Sequence, residues 1–587
     1  MIKFLKKHGL ELLILLIITI PSFLRLLNSQ YFSMHDDQHV ARLFLLDQGL
    51  KQGSLYPRWV GTLGFNFGYP LFNFYPPLVY YLAELFHLIG FSLTASIRAV
   101  VVVGFFLGAL GVFYFVKQKV NRAAGYLSAT LYTYFFYHAV VIYVRGALAE
   151  FFTLAIIPFV FLTLDNLFKK PSVKSGLLFG LPLALLILTH PLIAFPAIFF
   201  IGAFFIFYFF SSKDKLVFFK NFSLGTLSGL GLSAFFWLPS YVERKYTLVD
   251  DILTRELANY KIHFVYLKQF WYSAWGYGGS IAGAEDGLTF QLGKIHILVI
   301  TLSLLSFIIY LFSRKRSVEM IKYFLFSFFL LIFSLFMASN LSEFVWDKIK
   351  YLWYLQFPWR FLTFTTFFIS VSAGMAVFFL KERIRLWATL LAILIFVSTI
   401  FRYEKYFAPA AYINKIDKQL TTFEEIAWRV SKTSFEFTPK GIKTAKTELG
   451  TTTIALTKEE LKTAPYEVSL ISPEAVKIKT VSDLFARKEF EIKAASPFVF
   501  RLNTFDFPGW TGYLDDKRIV IDDQNDYKLI TVSIPAGAHR LEFIFANTTI
   551  RTMANYLSVL SAISIIILWV GAQKGSKRSG RRASRTS

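Results

Sequence analysis

The chain has 587 residues, of which 55% are hydrophobic, 19% aromatic and only 17% charged, and its mean hydropathy is +0.51. Charged residues make up about 25% of ordinary soluble domains, so this composition excludes a soluble multidomain protein. The net charge of +24 lies in short basic clusters between apolar blocks, without a recognition-helix or RNA-binding signature, which excludes nucleic acid as a partner, and the absence of cysteine excludes disulfides and thiol chemistry.

The first apolar block, Leu10 to Leu27, follows Lys3, Lys6 and Lys7, and Ser22 to Asn28 offers no small-residue cleavage site, so it reads as a retained first helix. Further basic clusters follow at Lys117/Lys119/Arg122, Lys169/Lys170/Lys174 and Lys213/Lys215/Lys220. Others lie at Arg314/Lys315/Arg316/Lys322, at Lys381/Arg383/Arg385 and in the tail from Lys574 to Arg585. If every cluster is cytoplasmic, an even number of crossings separates neighbours. Spans at 10–27, 95–116, 123–144, 147–168, 174–190 and 191–210 satisfy that rule, followed by 221–240, 295–312, 321–338, 361–380, 387–401 and 553–570. A third apolar stretch in the first interval, Tyr75 to Phe91, contains Pro76, Pro77, Glu84 and His87 and suits a helix along the interface. The expected count is twelve spans with both termini in the cytoplasm; thirteen or fourteen is the alternative.

This topology leaves loops 28–94, 241–294 and 339–360 outside the cytoplasm, together with a domain at 402–552. The domain holds short segments rich in β-branched and aromatic residues, among them "YEVSLIS", "AVKIKTV", "FEIKAA", "FVFRLNTF", "RIVID", "LITVSIP" and "RLEFIFAN". Phe507-Pro508-Gly509 and Ala536-Gly537 mark turns, and a β-sandwich is the expected fold. The division is a membrane module at 1–401, the β-rich domain at 402–552, a last span at 553–572 and a basic, disordered cytoplasmic tail at 573–587.

No Walker loop, dinucleotide fingerprint or Gly-x-Ser-x-Gly elbow is present, and the cytoplasmic loops are too short for a nucleotide site. Chemistry on the outer face therefore needs an activated donor delivered through the lipid. Four outer clusters carry reactive groups. His35, Asp36, Asp37 and His39 follow the first helix, where an acid either functions or caps the surface helix that begins there. Arg145 and Glu150 share a short turn in "YVRGALAEFF", as a functional pair or as an ion pair closing the turn. His190 precedes Pro191 at another turn, as a ligand group or as a helix cap. Arg360 in "YLQFPWRFL" starts a helix, as a functional cation or as an interfacial anchor. An acid, a second acid, a histidine and an arginine near one plane suit acid–base chemistry beside a phosphate.

The stretches "HDDQH", "GSLYPRW", "GYPLFNFYPPLVYYL", "YVRGALAE" and "LQFPWRFL" resemble bacterial membrane proteins labelled 6-pyruvoyl-tetrahydropterin-synthase-related, although nothing here points to pterin chemistry. The arrangement also resembles the GT-C superfamily of membrane glycosyltransferases, and "FDFPGWTGYLDD" with "IPAGAHRLEFIF" is similar to the outer β-domain of related proteins. The fold class implied is a polytopic α-helical membrane protein, GT-C-like, with an extracytoplasmic β-sandwich. The resemblance implies sugar transfer from a polyprenyl-phosphate donor to a cell-envelope glycan, lipid or protein. It matches Asp36 to the catalytic acid, with Asp37 beside it, and Glu150 to a second acidic position. His39, Arg145, His190 and Arg360 are the expected substrate and lipid-phosphate ligands. Asp-Asp stands where many GT-C enzymes have Asp-Glu. The sequence requires no cofactor and admits a divalent ion with oxygen ligands. Two rivals remain: a transporter or flippase for a lipid-linked saccharide, and a non-catalytic assembly protein that docks a glycan on Trp510 and Tyr513, residues that a sandwich core would equally claim.

Overall fold

A computed structural model describes residues 2–255, 258–314, 316–448, 451–470 and 472–583. Lys315 and the end of the basic tail lie outside these residues, as do the side chains of Lys3, Lys6, the 381–385 cluster and everything from 574 on. Among the described residues, nine helices are long and apolar enough to cross a bilayer, and two bent pairs raise the number to eleven. The bent pairs are Arg122–Thr133 with Phe136–Val144, at 44°, and Lys215–Leu232 with Ala234–Tyr246, at 68°. The expected span at 174–190 is Val173–Thr189, a helix of 17 residues. Leu78–Leu88 has 11 residues, well short of the ~20 needed to cross. The protein is a polytopic membrane protein with a β-domain before its last helix.

Side-chain caps fix several helix starts. Ser92, Asn121 and Asp214 each accept a backbone N–H from the first turn of the helix that follows. The stretch Leu362–Tyr403 is helical over 42 residues, which as a straight rod would measure about 63 Å. Ala373 and Ile395 nevertheless pack in one apolar cluster with Leu127 and Val299, so the stretch doubles back between its two halves. Helices Val173–Thr189 and Lys215–Leu232 approach through glycines spaced four apart. A methyl group on Gly176 would stand 2.5 Å from the Asn221 carbonyl, and one on Gly180 would stand 2.5 Å from that of Gly225. Small residues let backbones touch where lipid gives helices no hydrophobic reason to associate.

The β-domain is a sandwich of two antiparallel sheets. Five strands follow the spatial order Lys517–Ile519, Trp510–Leu514, Gly537–Phe545, Arg487–Ala494, Val476–Leu484, and three follow Leu529–Ile534, Phe498–Phe505, Tyr466–Ser469. Alternation sets the inner faces. Phe490 and Ile492 of one sheet and Phe498, Phe500 and Leu502 of the other are buried, and the rings of Phe490 and Phe500 lie 5.1 Å apart across the core. Two sequence expectations change here. The sandwich begins at Tyr466; most of 402–465 forms short helical turns and irregular chain laid over the membrane module, because its polar Asp/Glu/Lys/Ser pattern lacks the period of two that a half-buried strand needs. The helix Thr549–Ala583 continues through much of the basic tail.

A buried polar network ties the sandwich to the membrane helices. Arg551, fully buried on the last helix, donates from Nε to Glu243 at 2.9 Å and from Nη2 to the Pro508 carbonyl at 2.8 Å. Asn73 donates to the same Glu243 oxygen at 2.8 Å and accepts from Arg58 at 3.1 Å. Removing one partner of such a pair strands a charge away from water. Arg551→Met is therefore expected to cost about 3–5 kcal/mol, read as a lower thermal midpoint in detergent, with partial recovery when Glu243→Gln is added.

Candidate active site

The segment after the first helix is pinned to the turn at 144–146. The N–H of His35 donates to the Val144 carbonyl at 3.1 Å and that of Asp36 to the Arg145 carbonyl at 2.8 Å. His39 completes the seam. Its Nε2 meets the Gly146 carbonyl, which can only accept, so Nε2 carries the proton and Nδ1 accepts from the Tyr80 hydroxyl at 3.0 Å. Burial lowers His39 to a pKa of about 4, against the pull of the Gly146 carbonyl, and keeps it neutral. Gly146 has φ +65°, and any Cβ there would collide with Met34. The turn thus needs glycine for its conformation and for the close approach of the chain it holds.

Beside that seam lies a charge cluster. The Glu150 carboxylate is 1% exposed. One of its oxygens accepts from Arg145 Nη1 at 2.8 Å and Arg360 Nε at 3.0 Å, and the other accepts from the Tyr137 hydroxyl at 2.6 Å. Arg360 Nη1 also donates to the Leu355 carbonyl at 2.6 Å and to Gln356 Oε1 at 3.2 Å. Gln356 is held at φ +61°, a conformation that costs a non-glycine residue about 1–3 kcal/mol. The Arg145 guanidinium lies 4.5 Å from the Trp359 ring. Two guanidiniums against one carboxylate leave the cluster with excess positive charge. His190 caps the helix Pro191–Ser211, its Nδ1 accepting from the Ile193 N–H at 3.2 Å. The accepting nitrogen is unprotonated, so the ring keeps its N–H on Nε2.

Asp36, Arg145, Glu150, His190 and Arg360 all line a single cavity of about 950 Å³. Asp36 is exposed, and its carboxylate has no side-chain hydrogen bond or ion pair among the described residues. The far limb of the cavity is apolar, with Leu183, Ile187, Phe195, Ile198 and Phe205 among its lining residues. Ile198, in that apolar lining, is 62% exposed.

Asp37 and His39 are not among the lining residues. Both Asp37 oxygens accept from Arg429 Nη1 at 2.9 Å, which turns this acid toward the segment after the membrane helices, and His39 is sealed in the seam. Neither aspartate caps the surface helix His39–Lys51, whose N-cap position is Gln38. Cavity residues that the sequence did not single out include Arg42, Arg244, Gln356 and Glu436. Arg42 and Arg244 stand outside the quoted motifs, Gln356 lies inside "LQFPWRFL" beside the more conspicuous Arg360, and Glu436 lies in a stretch read as β-structure. Trp510 is buried against Trp59, with ring centroids 5.6 Å apart, which removes it as an open glycan platform. Among the described residues, no three His, Asp or Glu side chains come together as a metal set.

No protein-family model matches the chain, and no curated protein matches its sequence. Among solved structures it is similar to the arabinofuranosyltransferase AftD from Mycobacteria, with a TM-score of 0.46 and 11% identity over 70% of this chain and 28% of that one. It is also similar to the oligosaccharyltransferase of Archaeoglobus fulgidus in its apo form, with a TM-score of 0.42 and 13% identity over 70% of this chain and 57% of that one. The chain thus covers under a third of the first protein and a little over half of the second.

Two outcomes test the seam. The folded pKa of His39 lies below its unfolded value, so between about pH 6.5 and 4 the unfolded state binds the extra proton and stability falls as pH falls. That dependence is worth up to about 3 kcal/mol. His39→Gln should flatten the pH dependence of the thermal midpoint in that window. Gly146→Ala, which forces Met34 out of place, is expected to expose the segment from Met34 to Asp37 to limited proteolysis while the sandwich stays folded.

Proposed function

We propose that this protein is a membrane glycosyltransferase that moves a sugar from a polyprenyl-phosphate carrier to a cell-envelope acceptor. The reaction would take place on the extracytoplasmic side of the plasma membrane, with both termini in the cytoplasm. The observation that carries this reading is the two-part cavity: a cationic head beside a free carboxylate, continuous with an apolar limb. A lipid-linked sugar phosphate has the same division. The limb suits the isoprenoid chain and the head suits the phosphate, which Arg145 and Arg360 would bind as a charge-assisted pair while His190 donates from Nε2.

The orientation rests on where the basic clusters sit. The helix Leu93–Lys117 starts beside Asp417, whose carboxylate accepts from the Leu93 and Thr94 N–H groups, and ends at Lys117. Lys117 pairs with Glu11 at 2.5 Å and Lys119 with Asp165 at 2.5 Å, so several basic clusters gather at the helix ends away from the β-domain. That asymmetry favours the opposite face as extracytoplasmic.

In the proposed step, the Asp36 carboxylate accepts the proton of an acceptor hydroxyl as its oxygen attacks the anomeric carbon. The bond from that carbon to the phosphate oxygen breaks, and the lipid phosphate leaves with one more negative charge. Arg145 and Arg360, both buried, would face that developing charge as fixed positive groups that lower the barrier. Glu150 is occupied by three partners, so its part is to hold the two guanidiniums. One displacement inverts the anomeric centre; a retaining route would need a second free carboxylate about 5 Å from the first. A divalent ion could bind Asp36, but no step requires it.

The test is sugar transfer in membranes that contain equal amounts of folded wild type or Asp36→Asn, with labelled polyprenyl-phosphate sugars as donors and envelope fractions as acceptors. Asp36→Asn is expected to lower transfer by about 10²–10⁴-fold. Equal transfer by both proteins would remove Asp36 as the base. Movement of the lipid across the membrane without a new glycosidic bond would replace the transferase by a flippase.

A further inference from the structure

Besides the cationic cluster, the cavity has a second polar wall. It is built by the start of the helix His39–Lys51 and by the segment just before the β-sandwich. Gln38 donates from Nε2 to the carbonyl and hydroxyl oxygens of Thr433, at 3.0 and 2.9 Å. Arg42 Nη2 donates to Gln38 Oε1 and, at 2.9 Å, to the Ser434 hydroxyl. The Phe437 N–H donates to the Tyr69 hydroxyl at 2.9 Å. Residues on both sides of Glu436 are therefore fixed, and the segment is part of the wall.

Two charged groups stand on this wall, Arg42 and Glu436. Arg42 is 4% exposed and its guanidinium lies 3.9 Å from the Tyr75 ring, yet its buried Nε has no hydrogen-bond partner. Sealed from the cavity, that donor costs the fold about 1–3 kcal/mol, and Arg42 serves the wall through its charge and its hold on Gln38 and Ser434. Glu436 is half-buried and lines the cavity near Arg42, Asp36 and the Tyr69 hydroxyl. Burial pushes its carboxyl up, against the pull of Arg42, and its oxygens can accept hydrogen bonds from a ligand. The wall thus offers a guanidinium beside a carboxyl, with Asp36 close by. Adjacent sugar hydroxyls, each both donor and acceptor, match that pair, whereas a phosphate matches the Arg145 and Arg360 cluster.

We infer that Arg42 and Glu436 form a carbohydrate-binding subsite that holds the acceptor glycan with one hydroxyl at Asp36. The acceptor would then be a saccharide, and the segment preceding the sandwich would supply part of its site. The word acceptor rests on the glycosyltransferase reading; the binding of a saccharide does not. Glu436 acts here as a positioning residue.

The test uses the full-length protein in lipid nanodiscs with two separate probes, an array of neutral and acidic saccharides and a polyprenyl monophosphate. Wild type is expected to retain saccharides, and Glu436→Ala to lose about tenfold or more in affinity. Its affinity for polyprenyl phosphate should stay within about twofold under the same assignment. Glu436→Gln, which keeps a donor and an acceptor, should recover part of the loss and serves if the alanine variant fails to fold. Absence of saccharide retention by wild type, equal retention by both Glu436 variants and wild type, or an equal loss of polyprenyl-phosphate binding would each overturn the assignment. The transferase reading fails on a different result, polyprenyl-phosphate binding unaffected by Arg360→Ala while saccharides are still retained.

Discussion

The site depends on one carboxylate shared by two guanidiniums. Glu150 opens one membrane helix, Arg145 stands on the turn before it, and Arg360 arrives from 210 residues farther along the chain. Each charge costs several kcal/mol to take out of water, and the pairing of Glu150 with both guanidiniums is the main offset. The three residues are therefore locked together, and the surplus positive charge has nowhere to go but the cavity. The left-handed backbone at Gln356 is kept by the same constraint, since its side chain is one more acceptor for Arg360.

Around that lock, loop one is placed by backbone geometry. Three consecutive contacts with residues 144–146 set the height of Asp36, and they exist because Gly146 has no side chain to hold Met34 away. Two adjacent aspartates receive opposite fates from this placement. Asp36 faces the cavity with its carboxylate free, while Asp37, one residue on, is satisfied by Arg429. The free acid lies in the cavity with the cations without being neutralised by them.

The apolar limb has another origin. Paired glycines bring Val173–Thr189 and Lys215–Leu232 into backbone contact, and the bend after Leu232 turns Ala234–Glu243 across the end of the bundle. The limb is bounded by these helices and by Pro191–Ser211. The Arg551–Glu243 network then fixes the bent helix to the last helix and to the sandwich. Cavity shape, last helix and β-domain are thus one mechanical unit.

By itself, the sequence determined the membrane class, the positions of nearly all the spans and the run of strands. Each depends on local patterns: a continuous apolar run must leave water, and an alternating one must cover a core. It also marked Asp36, Arg145, Glu150, His190 and Arg360, because charged groups at span ends are few and need partners. Tertiary structure alone decided that these five share a cavity, that Asp37 and His39 do not, and that residues 433–437 belong to the site rather than to a sheet. Those outcomes depend on which buried charge meets which across hundreds of residues. Pairing of that kind follows from packing distance, and a distance has no signature in the order of residues along the chain.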